Sequence, residues 1–289
     1  VIEHCAGGNG ETGAAPAASA TATIDGAGTA RARCVLAPNP SAMTLDGTNT
    51  WLIGEPAATT AVVIDPGPAD ERHLRRVAAL AADQGRRIEL ILLTHGHADH
   101  SGGAPMLGAI TRAAVKALDP AHRLGSEGLA DGDVIVAGGA ELRVIATPGH
   151  SADSLSFLLP ADGALLTGDT VLGRGTAVIA ADGDLGDYLR SLDVLRALAG
   201  PAGPGVLLPG HGPLLTDPAG TLDRYIAHRA QRLEEVAAAV AAGDSTIGDI
   251  VARVYPDIDP VLRAFAAMSV RAQLRYLAER GDLPPGVSY

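Results

Sequence analysis

Apolar residues along this chain fall into short runs, and several of these runs stop abruptly at a single histidine or aspartate beside glycine or proline. Ile88-Glu89-Leu90-Ile91-Leu92-Leu93 is almost continuously apolar and rich in branched residues, which predicts a strand buried on both faces. It runs straight into Thr94-His95-Gly96-His97-Ala98-Asp99-His100. A similar run over 61–64 ends in Asp65-Pro66-Gly67. Further strands are predicted over 51–53, 134–136, 141–145, 154–159, 164–167 and 206–208. Three of them lead into Thr147-Pro148-Gly149-His150, Gly168-Asp169 and Pro209-Gly210-His211.

Helical spacing fills the intervals. Leu74, Val77, Ala78 and Leu80 predict a helix over 69–82, and Gly102-Gly103 precedes a short helix through Leu107 and Ile110. Helices follow over 185–198 and, rich in alanine, over 221–242, where Gly243-Asp244-Ser245 breaks the pattern. Residues 246–281 hold two more. Strands alternating with helices predict a layered α/β domain, with strand ends converging on one sheet edge where sites form. The expected organisation is a flexible Ala/Gly/Thr-rich tail over 1–33, a main domain over 34–242 and a C-terminal helical module over 243–289. That module is too short for a core of its own and should lean on the main domain.

Composition narrows the function classes. The formal net charge of −11 argues against a broad electrostatic footprint for nucleic acid, and Lys116 is the only lysine. Two cysteines, Cys5 and Cys34, build neither a disulfide framework nor a thiolate metal site. No apolar run approaches the roughly 18 residues that span a membrane, and the first residues lack the pattern of a signal peptide. A cytoplasmic enzyme is the expectation.

The strand-end residues carry the chemistry. His95, His97, Asp99, His100, His150, Asp169 and His211 form a set of imidazoles and carboxylates without cysteine, which suits zinc, with iron or manganese compatible. Seven such side chains exceed the four of a structural zinc site and imply two metal ions. His95 and His97 stand two apart around Gly96, a loop geometry rather than two turns of one helix face. Asp65 either caps the helix near Asp70 or accepts a hydrogen bond behind a ligand histidine.

These residues resemble the metallo-β-lactamase superfamily, whose His-x-His-x-Asp-His hallmark stands here as His95-Gly96-His97-Ala98-Asp99-His100. His150 in Thr-Pro-Gly-His, Asp169 in Leu-Thr-Gly-Asp and His211 in Pro-Gly-His-Gly-Pro match the later ligands. Within it, the segments over 43–52, 173–176 and 225–229 are similar to the β-lactamase-like protein 2 group. The C-terminal module resembles that group's winged-helix domain. The likeness covers roughly residues 35–281 and implies a four-layer αββα sandwich. It also implies that His95, His97 and His150 bind one metal, that Asp99, His100 and His211 bind the other, and that Asp169 bridges them. A hydroxide shared by two metal ions about 3.5–4 Å apart is a potent nucleophile, and Asp99 beside it is placed to orient it or accept its proton.

Hydrolysis is the expected reaction class, and the acidic chain favours an ester, thioester or lactone of a small metabolite. The group likeness suggests a second substrate, single-stranded RNA, with Arg174, Thr176, Arg229 and Arg232 as phosphate contacts. Asn49, in the polar loop before the strand at 51–53, is a further candidate at the rim of the site. A glyoxalase II-type thioesterase, for which no glutathione-binding set is placed here, and a di-iron redox or non-catalytic member are the remaining alternatives. The C-terminal helices offer a surface for a homodimer.

Overall fold

The structure, a computed structural model, describes residues 24–288. In chain order it contains β1 (Ala32–Leu36), β2 (Asn49–Ile53), β3 (Thr60–Ile64), α1 (Glu71–Asp83), β4 (Arg87–Leu92), α2 (Ala98–Ser101), α3 (Ala104–Thr111) and β5 (Ala114–Lys116). The second half continues with β6 (Val134–Ala137), β7 (Ala140–Ala146), β8 (Leu155–Leu159), β9 (Ala164–Gly168), α4 (Leu185–Leu198), β10 (Val206–Pro209), α5 (Pro218–Ala241), α6 (Ile247–Val254) and α7 (Arg263–Glu279). Two five-stranded sheets form, ordered β1-β2-β3-β4-β5 and β10-β9-β8-β7-β6. Within them β3, β4 and β5 are mutually parallel, as are β9 and β10, and the remaining pairs are antiparallel.

The period of two within each strand sorts its apolar residues onto two faces. Trp51, Ile53, Val62 and Ile64 point into the space between the sheets, where they meet Leu142, Val144, Phe157 and Leu166 of the second sheet. Their neighbours Leu52, Ala61 and Val63 face outward onto Leu74 and Val77 of α1 and Leu107 of α3. On the other side, Leu165 and Leu207 pack under Tyr188, Leu192 and Leu222 of α4 and α5. Strands buried on both faces explain why the runs read as continuously apolar. The result is the expected αββα sandwich.

Three local details depart from or refine the expectations. β5 is only three residues long and lies beyond what periodicity resolves; it follows Arg112, which takes a left-handed conformation (φ 62°). The main-domain boundary at 242 runs through a packed cluster, because Val236, Ala239 and Val240 of α5 form one core with Ile250, Val251, Val270 and Leu274. The C-terminal module also leans on the main domain, since Ala272 of α7 joins the layer beneath α4. Among the described residues beyond 243 every regular element is helical.

Residues 24–33 correct the expected tail. Ile24 is buried in the inter-sheet core, and the amide of Gly26 donates to the carbonyl of Cys34. Asp162, in the turn between β8 and β9, accepts from the Thr29 hydroxyl, the Arg31 amide (2.8 Å) and the Arg31 guanidinium. The small polar residues of this stretch hide these long-range partners from any local pattern. The expected tail over 1–23 lies outside the described residues. Cys34 is buried beside Asn49, and burial pushes its thiol well above the usual range, so it is inert.

Asp162→Ala removes the acceptor of three donors and is expected to lower unfolding free energy by about 2 kcal/mol. Denaturant unfolding measures it. A change within error would show that the Asp162 contacts to Thr29 and Arg31 contribute nothing to stability.

Candidate metal centre

All seven candidate ligands stand at the carboxyl ends of strands on one edge of the sandwich. β4 delivers Thr94, His95 and His97 and leads into α2, which carries Asp99 and His100. β7 delivers His150, β9 delivers Asp169 and β10 delivers His211. The two sheets are tied together at this edge by backbone hydrogen bonds from Leu155 to the Thr94 carbonyl (2.7 Å) and from Asn49 to the Gly210 carbonyl (2.8 Å). Space is tight: a Cβ at Gly210 would come within 2.6 Å of an Asp169 carboxylate oxygen, and one at Gly168 within 2.7 Å of the Thr94 hydroxyl.

Hydrogen bonds outside the cluster fix which ring nitrogens face inward. Carbonyls and carboxylates only accept, so His150 Nδ1 donates to the Val178 carbonyl (2.6 Å), His211 Nδ1 to the Gly47 carbonyl (3.1 Å) and His100 Nδ1 to Asp65 (2.9 Å). Thr94 donates its hydroxyl proton to Asp65 (2.7 Å), and so accepts from His95 Nδ1 (2.9 Å). These four rings therefore present Nε2 lone pairs to one another. His100 and His211 Nε2 lie 3.1 Å apart, and His150 Nε2 lies 3.0 Å from His97 Nδ1. Lone pairs at that separation repel unless a proton or a cation lies between them.

Three groups bring ligand atoms within 4.8 Å of one another: His95, His97 and His150; Asp99, His100 and His211; and, between them, His95, His100 and Asp169. Asp169 spans the gap, one oxygen 3.3 Å from His100 Nε2 and the other 3.7 Å from His150 Nε2 and 3.4 Å from His211 Nε2. His95 Nε2 and one oxygen of Asp169 are buried without a hydrogen-bond partner. Orphaned buried atoms of this kind are costly unless an ion satisfies them.

Electrostatics separate the two groups. Burial, then the neighbouring histidines, holds His95 well below its ordinary pKa, and burial likewise lowers His150. Protonation cannot relieve that group, and neutral imidazoles are what a metal requires. In the other group burial opposes charge on His211 and His100, yet Asp169 and the adjoining carboxylates outweigh it, raising His211 to about 9 and holding His100 well above its usual range. Burial works against the Asp99 carboxylate too, but His211 and His100 outweigh it and lower Asp99 to about 2. The donor set and its geometry fit divalent metal ions.

The other residues singled out by sequence divide. Asp65 is buried in a left-handed conformation (φ 53°) and accepts from the Thr94 amide, the Thr94 hydroxyl and His100, while Asp70 caps α1. Arg174 stays exposed near the cluster, paired with Asp46 at 2.9 Å. Thr176 is buried in the segment after β9. Asn49 is no rim contact: it is fully buried, and its side-chain amide donates to the Pro209 and Gly212 carbonyls, clasping the His211 loop. Arg229 is no surface residue either, being buried with its guanidinium on the Ala177 carbonyl and over the Tyr188 ring. Arg232 is committed to Glu235 (2.6 Å) and the Tyr255 ring, in the seam with the C-terminal helices. Sequence reasoning missed Thr94, which holds His95, and Asp182, 3.8 Å from His97 Nε2. Thr94 precedes the first histidine, which was a usable signal; Asp182 has none.

A family model described as the metallo-beta-lactamase superfamily matches residues 43–211, more than half of the chain. The chain belongs to that superfamily. A second model, the beta-lactamase associated winged helix domain, matches residues 246–282 of this superfamily member. A beta-lactamase-like protein 2 homolog from Caenorhabditis elegans is 33% identical over 86% of this chain and 84% of its own length. Together with the winged-helix match, this fits the β-lactamase-like protein 2 group. An atrochrysone carboxyl ACP thioesterase from Aspergillus fumigatus is 36% identical over 74% of this chain and 67% of its own length. A lactamase-like protein nscB from the same fungus is 34% identical over 79% of this chain, which spans 66% of that relative's length. Among solved structures, a metallo-beta-lactamase family protein from Thermus thermophilus superposes with a TM-score of 0.71 at 24% identity, over 86% of this chain and 94% of its own, and shares the fold. No helix among the described residues is long and apolar enough to cross a membrane.

Asp65→Ala frees His100 and is expected to weaken zinc at the Asp99/His100/His211 group about 10–100-fold, read by zinc titration of the chelator-stripped protein. Unchanged affinity would show that Asp65 does not orient His100.

Proposed function

We propose that this superfamily hydrolase works with two zinc ions on an ester, thioester or lactone bond of a small metabolite. The observation that carries the reading is the Asp169 carboxylate, set between two groups of three ligands with one buried oxygen unpartnered. Its position supports one carboxylate serving both ions. His95, His97 and His150 would hold the first ion, and Asp99, His100 and His211 the second. Bound divalent zinc supplies a Lewis acid for the substrate oxygen and lowers the pKa of water.

The chain's own groups do the rest. Asp99 lies 3.2 Å from His211 Nε2, and its side chain is one-third exposed, against one-eighth for Asp169. Ionised at neutral pH and open to solvent, it is placed to orient a water molecule and accept its proton. Asp65, Thr94 and the Val178 and Gly47 carbonyls accept the outer Nδ1 protons and aim the Nε2 atoms inward, so little reorganisation is needed when substrate binds.

Two observations favour acyl chemistry over RNA cleavage. The arginines at 229 and 232 that would contact phosphates are already engaged inside the protein, and the chain carries a net charge of −11. The thioesterase among the relatives points the same way. Arg174, exposed at the edge of the site, remains a candidate contact for an acyl group's carboxylate or a carrier's phosphate.

Asp169→Ala is expected to lower bound zinc from two ions per chain and abolish hydrolysis of acyl thioesters, measured by elemental analysis and thiol release. A variant that keeps both ions and the wild-type rate would remove Asp169 from its shared position. In the same assay, faster turnover of labelled single-stranded RNA than of thioesters, esters and lactones would shift the substrate to RNA.

A further inference from the structure

The segment between β9 and α4, residues 169–184, has no helix or strand, yet it forms one wall of the metal centre. Val178 offers its carbonyl to His150 Nδ1 (2.6 Å), and the amide of Ala180 donates to the His150 carbonyl (2.9 Å). Asp184 donates its amide to the Gly149 carbonyl (3.0 Å). Gly183 lies so close that a Cβ there would come within 2.3 Å of the Gly149 oxygen. Whatever holds this segment therefore holds His150.

Its outer side is held by helices rather than by the sheets. Tyr225 of α5 accepts from the Leu172 amide (2.9 Å) and donates to the Gly175 carbonyl (2.7 Å). Arg229, one turn on, donates to the Ala177 carbonyl, the residue before Val178. Arg275, from α7 of the C-terminal module, donates to the Gly183 carbonyl and lies 3.7 Å from the Asp184 carboxylate. A segment without secondary structure depends on such contacts, because its carbonyls have no ladder to satisfy them. The rings of the other ligand group are held from elsewhere, His100 by Asp65 and His211 by Gly47, and this segment reaches His211 only through the Gly173 amide on its carbonyl (2.8 Å), ahead of residues 175–184.

We infer that the C-terminal module, together with α5, sets the geometry of the His95/His97/His150 group, with Arg275 of the module and Arg229 of α5 as positioning residues that act through residues 175–184 on His150. The module is thereby part of the metal centre's support and not an appended recognition domain only. The dependence is one-sided: a shift of α7 loosens the group containing His150 and leaves the Asp99/His100/His211 group in place. This rests on the reading of the two groups as zinc sites.

The test uses the full chain as wild type, R275A and R275K, stripped of metal. Hydrogen exchange is read first, without zinc. R275A should speed amide exchange over 176–184 several-fold and leave 88–93 unchanged, with R275K restoring part of the protection. Stepwise zinc titration follows, with Asp99→Asn marking which step belongs to the Asp99/His100/His211 group. R275A should weaken the other step about tenfold, in the range expected for outer support of a ligand histidine. Unchanged exchange over 176–184, or equal weakening of both steps with faster exchange throughout, would overturn the inference. If R275A does not fold, R275Q carries the same comparison. Wild-type protein that binds no zinc would defeat the metal reading alone, since the exchange measurement decides the clamp by itself.

Discussion

One buried carboxylate organises the edge of the sandwich from which every ligand projects. Asp65 takes the Thr94 amide and hydroxyl and the His100 ring, and through Thr94 it reaches His95. It does so from a left-handed backbone conformation that costs a non-glycine residue on the order of 1 kcal/mol. The surrounding hydrogen bonds hold it there. Because Asp65 follows β3 and Thr94 follows β4, two parallel neighbours, the interaction converts strand pairing into ligand orientation. Histidines whose outer nitrogens are fixed this way must present their lone pairs inward, and the crowding of those lone pairs makes a metal centre the natural occupant of the space.

The same logic links the two sheets. Each sheet supplies part of the ligand set, so the centre exists only if their edges stay in register. Leu155 with Thr94 and Asn49 with the loop carrying His211 provide that register, between sheets whose facing apolar residues already form one core. The helices behind the second sheet extend the support outward: α5 and α7 brace the segment that receives His150.

Much of this was legible in the sequence. Apolar runs ending at His95, His150, Asp169 and His211 located the strand ends, and ligand type excluded thiolate chemistry. The helices of the second half fell close to their predicted spans, because their apolar spacing is strong. What stayed hidden was tertiary. Asn49, Arg229 and Arg232 are polar residues near the motif, and composition cannot distinguish a side chain that meets substrate from one that satisfies a buried carbonyl. Residues 24–33 lack periodicity, and their attachment to Asp162 lies about 130 positions away in sequence. The choice between capping and ligand support at Asp65 was open for the same reason, and Asp70 resolved it by taking the cap.

The claim on which the account turns is that seven side chains make one centre for two ions, with Asp169 shared. Anomalous diffraction at the zinc edge, from crystals grown with zinc, measures it directly. The account predicts two peaks per chain, one beside His95, His97 and His150 and one beside Asp99, His100 and His211, with the Asp169 carboxylate between them. A single peak, or two peaks with Asp169 turned away from both, would contradict it.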